Sequence, residues 1–164
     1  MATDARADNR ARSLDEVIDG HRFAMVTTST PQGLTARPLT LLEQEGSVLR
    51  FLVSTDAEWV QQVGRGLRSI QVSFVSPQDS TYVALLGRAS VDPARESVER
   101  LWSPAAKSSF DGPGDPSAAV LEANIHDGEW WDAPSSKVGM AIALAKRTIT
   151  GGEPGEHGSV DPER

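Results

Sequence analysis

The chain has 164 residues, no cysteine, four tryptophans and a formal net charge of -7. That length suits one domain with a single core, and the lack of cysteine excludes disulfide frameworks, thiolate zinc sites and cysteine nucleophiles. The acidity weighs against nucleic acid or anionic lipid as partners, because both need an excess of Lys and Arg facing phosphate. A small phosphate-bearing ligand stays open, since a few local cations reverse the field inside one pocket.

Residues 1–12 contain no apolar run, so they read as a disordered arm with neither secretory signal nor membrane anchor, and the expected location is cytoplasmic. After Ser13, Leu14, Val17 and Ile18 recur at helical spacing until Gly20, which predicts a short helix capping one end of a sheet. A strand through Ala24 to Thr28, the turn Thr30-Pro31-Gln32-Gly33 and a strand from Leu34 to Leu42 predict a hairpin. Gly46 turns the chain into Val48 to Val53, an apolar run suited to a strand buried on both faces. A helix over Ala57 to Gly64 follows, with Thr55 or Asp56 as N-cap and Gly64 and Gly66 as stop signals.

Two more strands, Ser69 to Val75 and Thr81 to Val91, flank the turn Ser76-Pro77-Gln78-Asp79. Asp92-Pro93 predicts a helix start and leads to Val98, Leu101 and Trp102 on one face. The Pro- and Gly-rich run Asp111 to Pro116 predicts a loop, Ala118 to His126 and Glu129 to Asp132 two strands, and Met140 to Lys146 an apolar segment of ambiguous type. Residues 151–164 carry few apolar groups and read as a disordered tail, leaving 13–150 as the folded domain. The order of elements predicts a mainly β, α+β antiparallel barrel.

Several runs carry a resemblance. Arg37-Pro38-Leu39-Thr40, Phe51-Leu52-Val53-Ser54, the segment Leu101-Trp102-Ser103-Pro104 to Lys107-Ser108-Ser109-Phe110, and Glu129-Trp130-Trp131-Asp132-Ala133-Pro134-Ser135-Ser136-Lys137-Val138 stand in this order. Together they resemble the flavin-binding split-barrel superfamily related to pyridoxamine 5'-phosphate oxidase, in its general stress protein 26 branch. The resemblance implies a homodimer of six-stranded antiparallel split β-barrels with flanking helices. It also implies two flavin mononucleotide (FMN) sites at the subunit interface, each lined by both chains.

The resemblance assigns cofactor contacts to Arg37, Pro38, Leu39, Thr40, Ser54, Thr55, Trp59, Tyr82, Lys107, Trp131 and Lys137. Six of them have a plainer alternative. Arg37, among apolar strand neighbours, needs an anionic or carbonyl partner, either flavin or Glu43 or Glu45 at the barrel rim. Ser54 and Thr55 either meet phosphate or cap the helix that follows. An adjacent Trp pair on an extended segment sends one indole to each face, so Trp131 lies near the flavin ring or in the core, with Trp130 opposite. Tyr82 either faces the partner's flavin or is a half-buried strand aromatic, and Lys137 either borders the pocket or is an exposed lysine.

The helix start departs from the family pattern. Ser-x-Lys is the usual arrangement, serving the flavin phosphate, whereas this chain has Ala57-Glu58-Trp59. A carboxylate at ~4 Å from one phosphate charge, at an effective dielectric of ~20, costs about 4 kcal/mol. Uncompensated, that is roughly a thousandfold in affinity. Arg65, Arg68 or Lys107 are the available substitutes.

Two further readings follow from that departure. One is a non-enzymatic dimeric scaffold without its FMN site, in which Trp59 fills the emptied groove and the protein sequesters a ligand or binds another protein. The other is a deazaflavin (F420) protein, although the cations that its polyglutamate tail needs are not evident. His21, His126 and His157 are too scattered for a metal centre. No acid, base or substrate clamp for pyridoxamine phosphate stands out, so FMN-dependent oxidoreductase chemistry is expected without that oxidase activity.

Overall fold

The computed structural model describes residues 11–66, 68–132 and 156–163. Lys137 and the segment Met140 to Lys146 lie outside the described residues. The order is β1 (Arg12–Ser13), α1 (Leu14–Ile18), β2 (Phe23–Thr30), β3 (Gly33–Thr40), β4 (Glu43–Glu45), β5 (Val48–Ser54) and α2 (Glu58–Gly64). It continues with β6 (Ser69–Ser76), β7 (Thr81–Asp92), α3 (Arg95–Leu101), a 3-10 helix (Pro104–Ser108), β8 (Ala118–Asp132) and β9 (Glu156–Asp161).

The architecture is mainly β with few helices, in agreement with the α+β expectation. Its sheet is not the expected six-stranded antiparallel barrel. Among the described residues nine strands are hydrogen-bonded along the path β1-β9-β8-β7-β6-β2-β3, with β4 on β5 and β5 on β8, and the path does not close. The β1–β9 pair is parallel. One edge of β8 is shared: its first half pairs with β5 and its last residues pair with β9, which the strand's 15-residue length permits.

Alternation decides which side is core. Ala24, Val26 and Thr28 of β2, Ile70, Val72 and Phe74 of β6, and Val83 and Leu85 of β7 face inward, where α1 and α2 cover them with Leu14, Val17, Ile18, Val60 and Val63. Ser13 caps α1 and forms a capping box with Glu16. A second small cluster, Val98, Leu101, Ala118 and Val120, forms where α3 meets β8. Leu52 packs there while Leu49, Phe51 and Val53 enter the main core, so β5 alternates fully and half-buried positions instead of being buried on both faces.

Four expectations are corrected. Glu156–Asp161 is a strand, not part of a disordered tail, because its backbone pairs with β8 and buries Val160 against the core. Arg12 belongs to β1 and ion-pairs with Asp132 at 2.9 Å, so the arm assigned to residues 1–12 does not include it. The two strands expected on either side of Gly128 are one. Gly128 marks a close approach: a Cβ there would lie 2.8 Å from Leu85 Cδ2 and 3.1 Å from the Ala84 carbonyl. Finally, α2 and α3 begin at Glu58 and Arg95, with Ala57 and Ala94 as N-caps that make no side-chain cap bond.

No helix among the described residues is long and apolar enough to cross a membrane.

Candidate functional site

Hairpin register builds the first part of the site. Pairing Val26 with Arg37 and Thr28 with Thr35 puts these side chains on the inward face of β2 and β3, at the sheet end covered by α2. Arg37 Nη1 donates to Thr28 Oγ1 at 2.8 Å, and Nη2 donates to Thr35 Oγ1. The guanidinium lies over the Trp59 ring, 4.2 Å from its centroid. Burial lowers the pKa of Arg37 from its ordinary value, and arginine remains charged.

Arg37 makes no ion pair among the described residues. The carboxylates weighed as its partners serve Arg50 instead: Nη1 meets Glu43 at 2.6 Å and Glu45 at 2.8 Å, and Nε meets Glu122 at 2.7 Å. Arg100 also pairs with Glu43. Strand pairing explains the switch, since Glu43 and Glu122 are Arg50's direct neighbours on β4 and β8.

A groove of about 320 Å³ opens beside the Arg37–Trp59 stack, walled by Thr30, Thr35, Arg37, Glu58, Trp59 and Gln62. Glu58 is exposed and accepts from Gln62 Nε2 at 3.2 Å. Gln62 is 8% exposed, and its Oε1 is buried without a hydrogen-bond partner among the described residues. Sequence reasoning missed Gln62 and Thr28; the four-residue spacing of Glu58 and Gln62 on a helix is the signal that links one of them to the site.

The remaining candidates fall elsewhere. Ser54 Oγ accepts from the Asp56 amide at 3.2 Å, and the Thr55 amide donates to the Ser117 carbonyl at 2.8 Å, so both residues serve the turn before α2 without capping it. Leu39 packs against the core, while Thr40 lines a cavity of about 110 Å³ with Leu42, Leu52, Ser108 and Phe110. Lys107 sits exposed on the neighbouring 3-10 helix. Arg65 and Arg68, the other possible substitutes for the phosphate ligands, are exposed and do not line the groove.

Pro38, Tyr82 and Trp131 occupy the outer sheet face. Pro38 pairs with Met25, and Tyr82 lies between Val75 and Trp131 in the ladder. Trp130 points the other way: it is 1% exposed in the core, with Arg12 stacked 3.6 Å from its ring centroid. The one-indole-per-face reading therefore holds, and Trp131, half-buried, is the indole on the outer side. Within one chain the candidates are dispersed: Arg37 and Trp59 at the groove, Thr40 at the small cavity, Pro38, Tyr82 and Trp131 on the outer face, and Leu39, Ser54 and Thr55 in none of these. No cluster of metal-ligating residues exists among the described residues.

The sequence profile of the family described as "Pyridoxamine 5'-phosphate oxidase like" matches residues 9–155. Protein bli-3 of Neurospora crassa is 23% identical over 163 residues, spanning 92% of this chain and 78% of that protein. Among solved structures, General Stress Protein 26 from Bacillus anthracis aligns with a TM-score of 0.62 at 16% identity, covering 70% of this chain and 88% of its own. The general stress FMN/FAD binding protein from Xanthomonas citri aligns with a TM-score of 0.63 at 26% identity, covering 73% and 86%.

Proposed function

The chain belongs to the pyridoxamine 5'-phosphate oxidase like family, and on that premise we propose that it is a cytoplasmic flavin-binding protein of the general stress type, acting as a homodimer. The observation that carries this reading is the Arg37–Trp59 stack: a guanidinium without a carboxylate partner among the described residues, lying on an indole at the wall of a groove. A cation beside an aromatic wall suits a planar heterocycle that carries carbonyl and ring-nitrogen acceptors.

The outer face supports the dimer. Phe23, Met25, Leu34, Val75, Tyr82 and Leu86 are all exposed large apolar side chains, and strand alternation puts them on the same side of the sheet. Joining two such faces would set both chains along β3, whose Pro38 lies on that face while Arg37 points inward. Flavin would then lie between elements of both chains, in agreement with the separation of the candidate groups within one chain.

The cofactor's two ends fit unequally. The ring matches Trp59, Tyr82 and Trp131. FMN's phosphate does not match the groove, where Arg37 is the only cation among the lining residues and Glu58 offsets its charge. When bound, a flavin supplies hydride or single-electron transfer, and the protein supplies placement and electrostatics. The described residues offer no acid–base pair for pyridoxamine phosphate, so an FMN-dependent oxidoreductase role would rest on the cofactor alone.

A second reading has one specific support. Trp59 packs against the core and engages Arg37, which suits a dimeric scaffold that has lost its flavin and serves in sequestration or protein interaction. An F420 protein has less support, because a single lining cation is a poor match for a polyglutamate tail.

The visible absorption of the purified protein, before and after incubation with flavins, tests the proposal. Flavin bands are the expected result. A colourless protein that takes up neither FMN nor riboflavin at micromolar concentration would favour the scaffold.

A further inference from the structure

We infer that the Arg37–Trp59 groove selects a flavin whose side chain ends in a hydroxyl over its phosphate ester, so that this chain prefers riboflavin to FMN. The inference rests on the flavin reading above and narrows it to the ligand's end.

Gln62 supplies the first argument. Its Nε2 donates to Glu58 Oε1 at 3.2 Å, which fixes the amide's orientation, since the flipped form would set two acceptors against each other. Gln62 lines the groove, and its Oε1 is then a covered acceptor with no partner among the described residues, which a ligand reaches by a shift of the groove wall. Leaving such an atom unsatisfied is costly, and what satisfies it is a donor. The inner ribityl hydroxyls donate in both ligands; the terminal one donates in riboflavin and is replaced in FMN by a phosphate dianion, which offers acceptors only.

Charge supplies the second. Arg37 and Glu58 are the ionised side chains in the lining, so its formal charge is zero. A neutral ligand enters such a groove without repulsion from Glu58, whereas a dianion meets a carboxylate on entry. Arg37 is the third. Each terminal nitrogen already donates to a threonine hydroxyl, and one face of the guanidinium rests on Trp59. The two-pronged grip by which arginine usually holds phosphate is thus partly occupied by protein. All three features come from side chains of the groove lining: Arg37 on β3, and Glu58, Trp59 and Gln62 on α2.

The test is a pair of titrations of the full-length, flavin-stripped protein with riboflavin and with FMN at fixed ionic strength, read by quenching of flavin fluorescence. Riboflavin is expected to bind at least about tenfold more tightly. Glu58→Lys, at an exposed position, should narrow the ratio by strengthening FMN. Gln62→Leu, checked for folding by circular dichroism, should narrow it by weakening riboflavin. Equal or tighter binding of FMN by the unaltered protein overturns the selectivity and leaves flavin binding standing. A ratio unmoved by Glu58→Lys overturns its electrostatic basis, and failure of both flavins to bind overturns the selectivity together with the flavin reading.

Discussion

The guanidinium of Arg37, on β3, lies 4.2 Å from the centroid of the Trp59 ring, on α2, and this contact ties the hairpin to the helix at the groove. It stands where the family pattern leads one to expect a lysine serving phosphate. Trp59→Lys should therefore raise FMN affinity by at least about tenfold, the equivalent of roughly 1.4 kcal/mol. The same change removes a half-buried indole and places two cations together, so stability should fall by about 1–3 kcal/mol. FMN titration and chemical denaturation of the variant read the two effects separately; unchanged FMN binding would count against the groove as a phosphate-end site.

The two adjacent indoles should behave differently. Trp130 is fully buried beneath Arg12, and Trp130→Ala should cost about 3–5 kcal/mol or prevent folding. Trp131 is half-buried on the outer face, so Trp131→Ala should change monomer stability by less than about 2 kcal/mol and instead weaken flavin binding. Urea unfolding curves for the pair would show the difference, and equal losses would contradict the assignment of faces.

Strand β9 contributes to stability although it lies near the chain's end. Val160→Ala should destabilise by about 2 kcal/mol, because Val160 is buried in the main core. Removing residues 156–164 should cost more, since it also uncovers the β8 edge from Glu129 to Asp132 and leaves β1 without its partner. A thermal midpoint unchanged by the truncation would mean that β9 is not docked in solution.

If the outer face is the dimer interface, the unaltered protein should sediment as a dimer. Val75→Lys combined with Tyr82→Lys should then produce a folded monomer, because both residues are exposed in one chain and charge is poorly tolerated in the centre of an interface. Sedimentation velocity distinguishes the states. A double variant that remains dimeric would move the interface elsewhere.

Acid sensitivity should be traceable in part to Asp92. Its carboxylate accepts from Ser97 Oγ at 2.5 Å and from the Ala94 amide at 2.9 Å, and these bonds hold its pKa below the ordinary value, the hydroxyl first. A depressed folded-state pKa adds stability above the unfolded value of about 3.9 and loses it as pH falls through the folded value. Asp92→Asn should thus cost no more than about 1 kcal/mol at neutral pH, as for a surface helix-start contact. The gap between variant and parent should shrink as the pH drops below about 4. Denaturation at several pH values would reveal a constant gap if the carboxylate's charge were immaterial.

Much of the fold could be read along the chain. The hairpin from Ala24, the strands at Ser69 and Thr81 and the short helix after Ser13 carry their own alternation, caps and turn residues, so there local pattern and final structure agree, whereas β4 has no such signal. Gly128 was misleading because a glycine needed for close approach to Leu85 looks the same in sequence as one that ends a strand. Arg37, Trp59 and Glu58 were recognisable as site candidates by position, whereas Thr28 and Gln62 were not, since a threonine on a strand and a glutamine on a helix are ordinary.

The sequence by itself determined family membership, the mainly β class, and the placing of the Trp130 and Trp131 indoles on opposite faces. These depend on residue type and spacing, which the linear chain contains. Only the tertiary structure decided that Glu43 and Glu45 neutralise Arg50 and not Arg37, that an apolar-poor terminal segment becomes β9, and that Gln62 Oε1 is left unpartnered. The reason is that pairing and satisfaction are properties of neighbours. Which carboxylate meets which arginine, or which amide oxygen goes without a donor, depends on strands and helices brought together from distant parts of the chain.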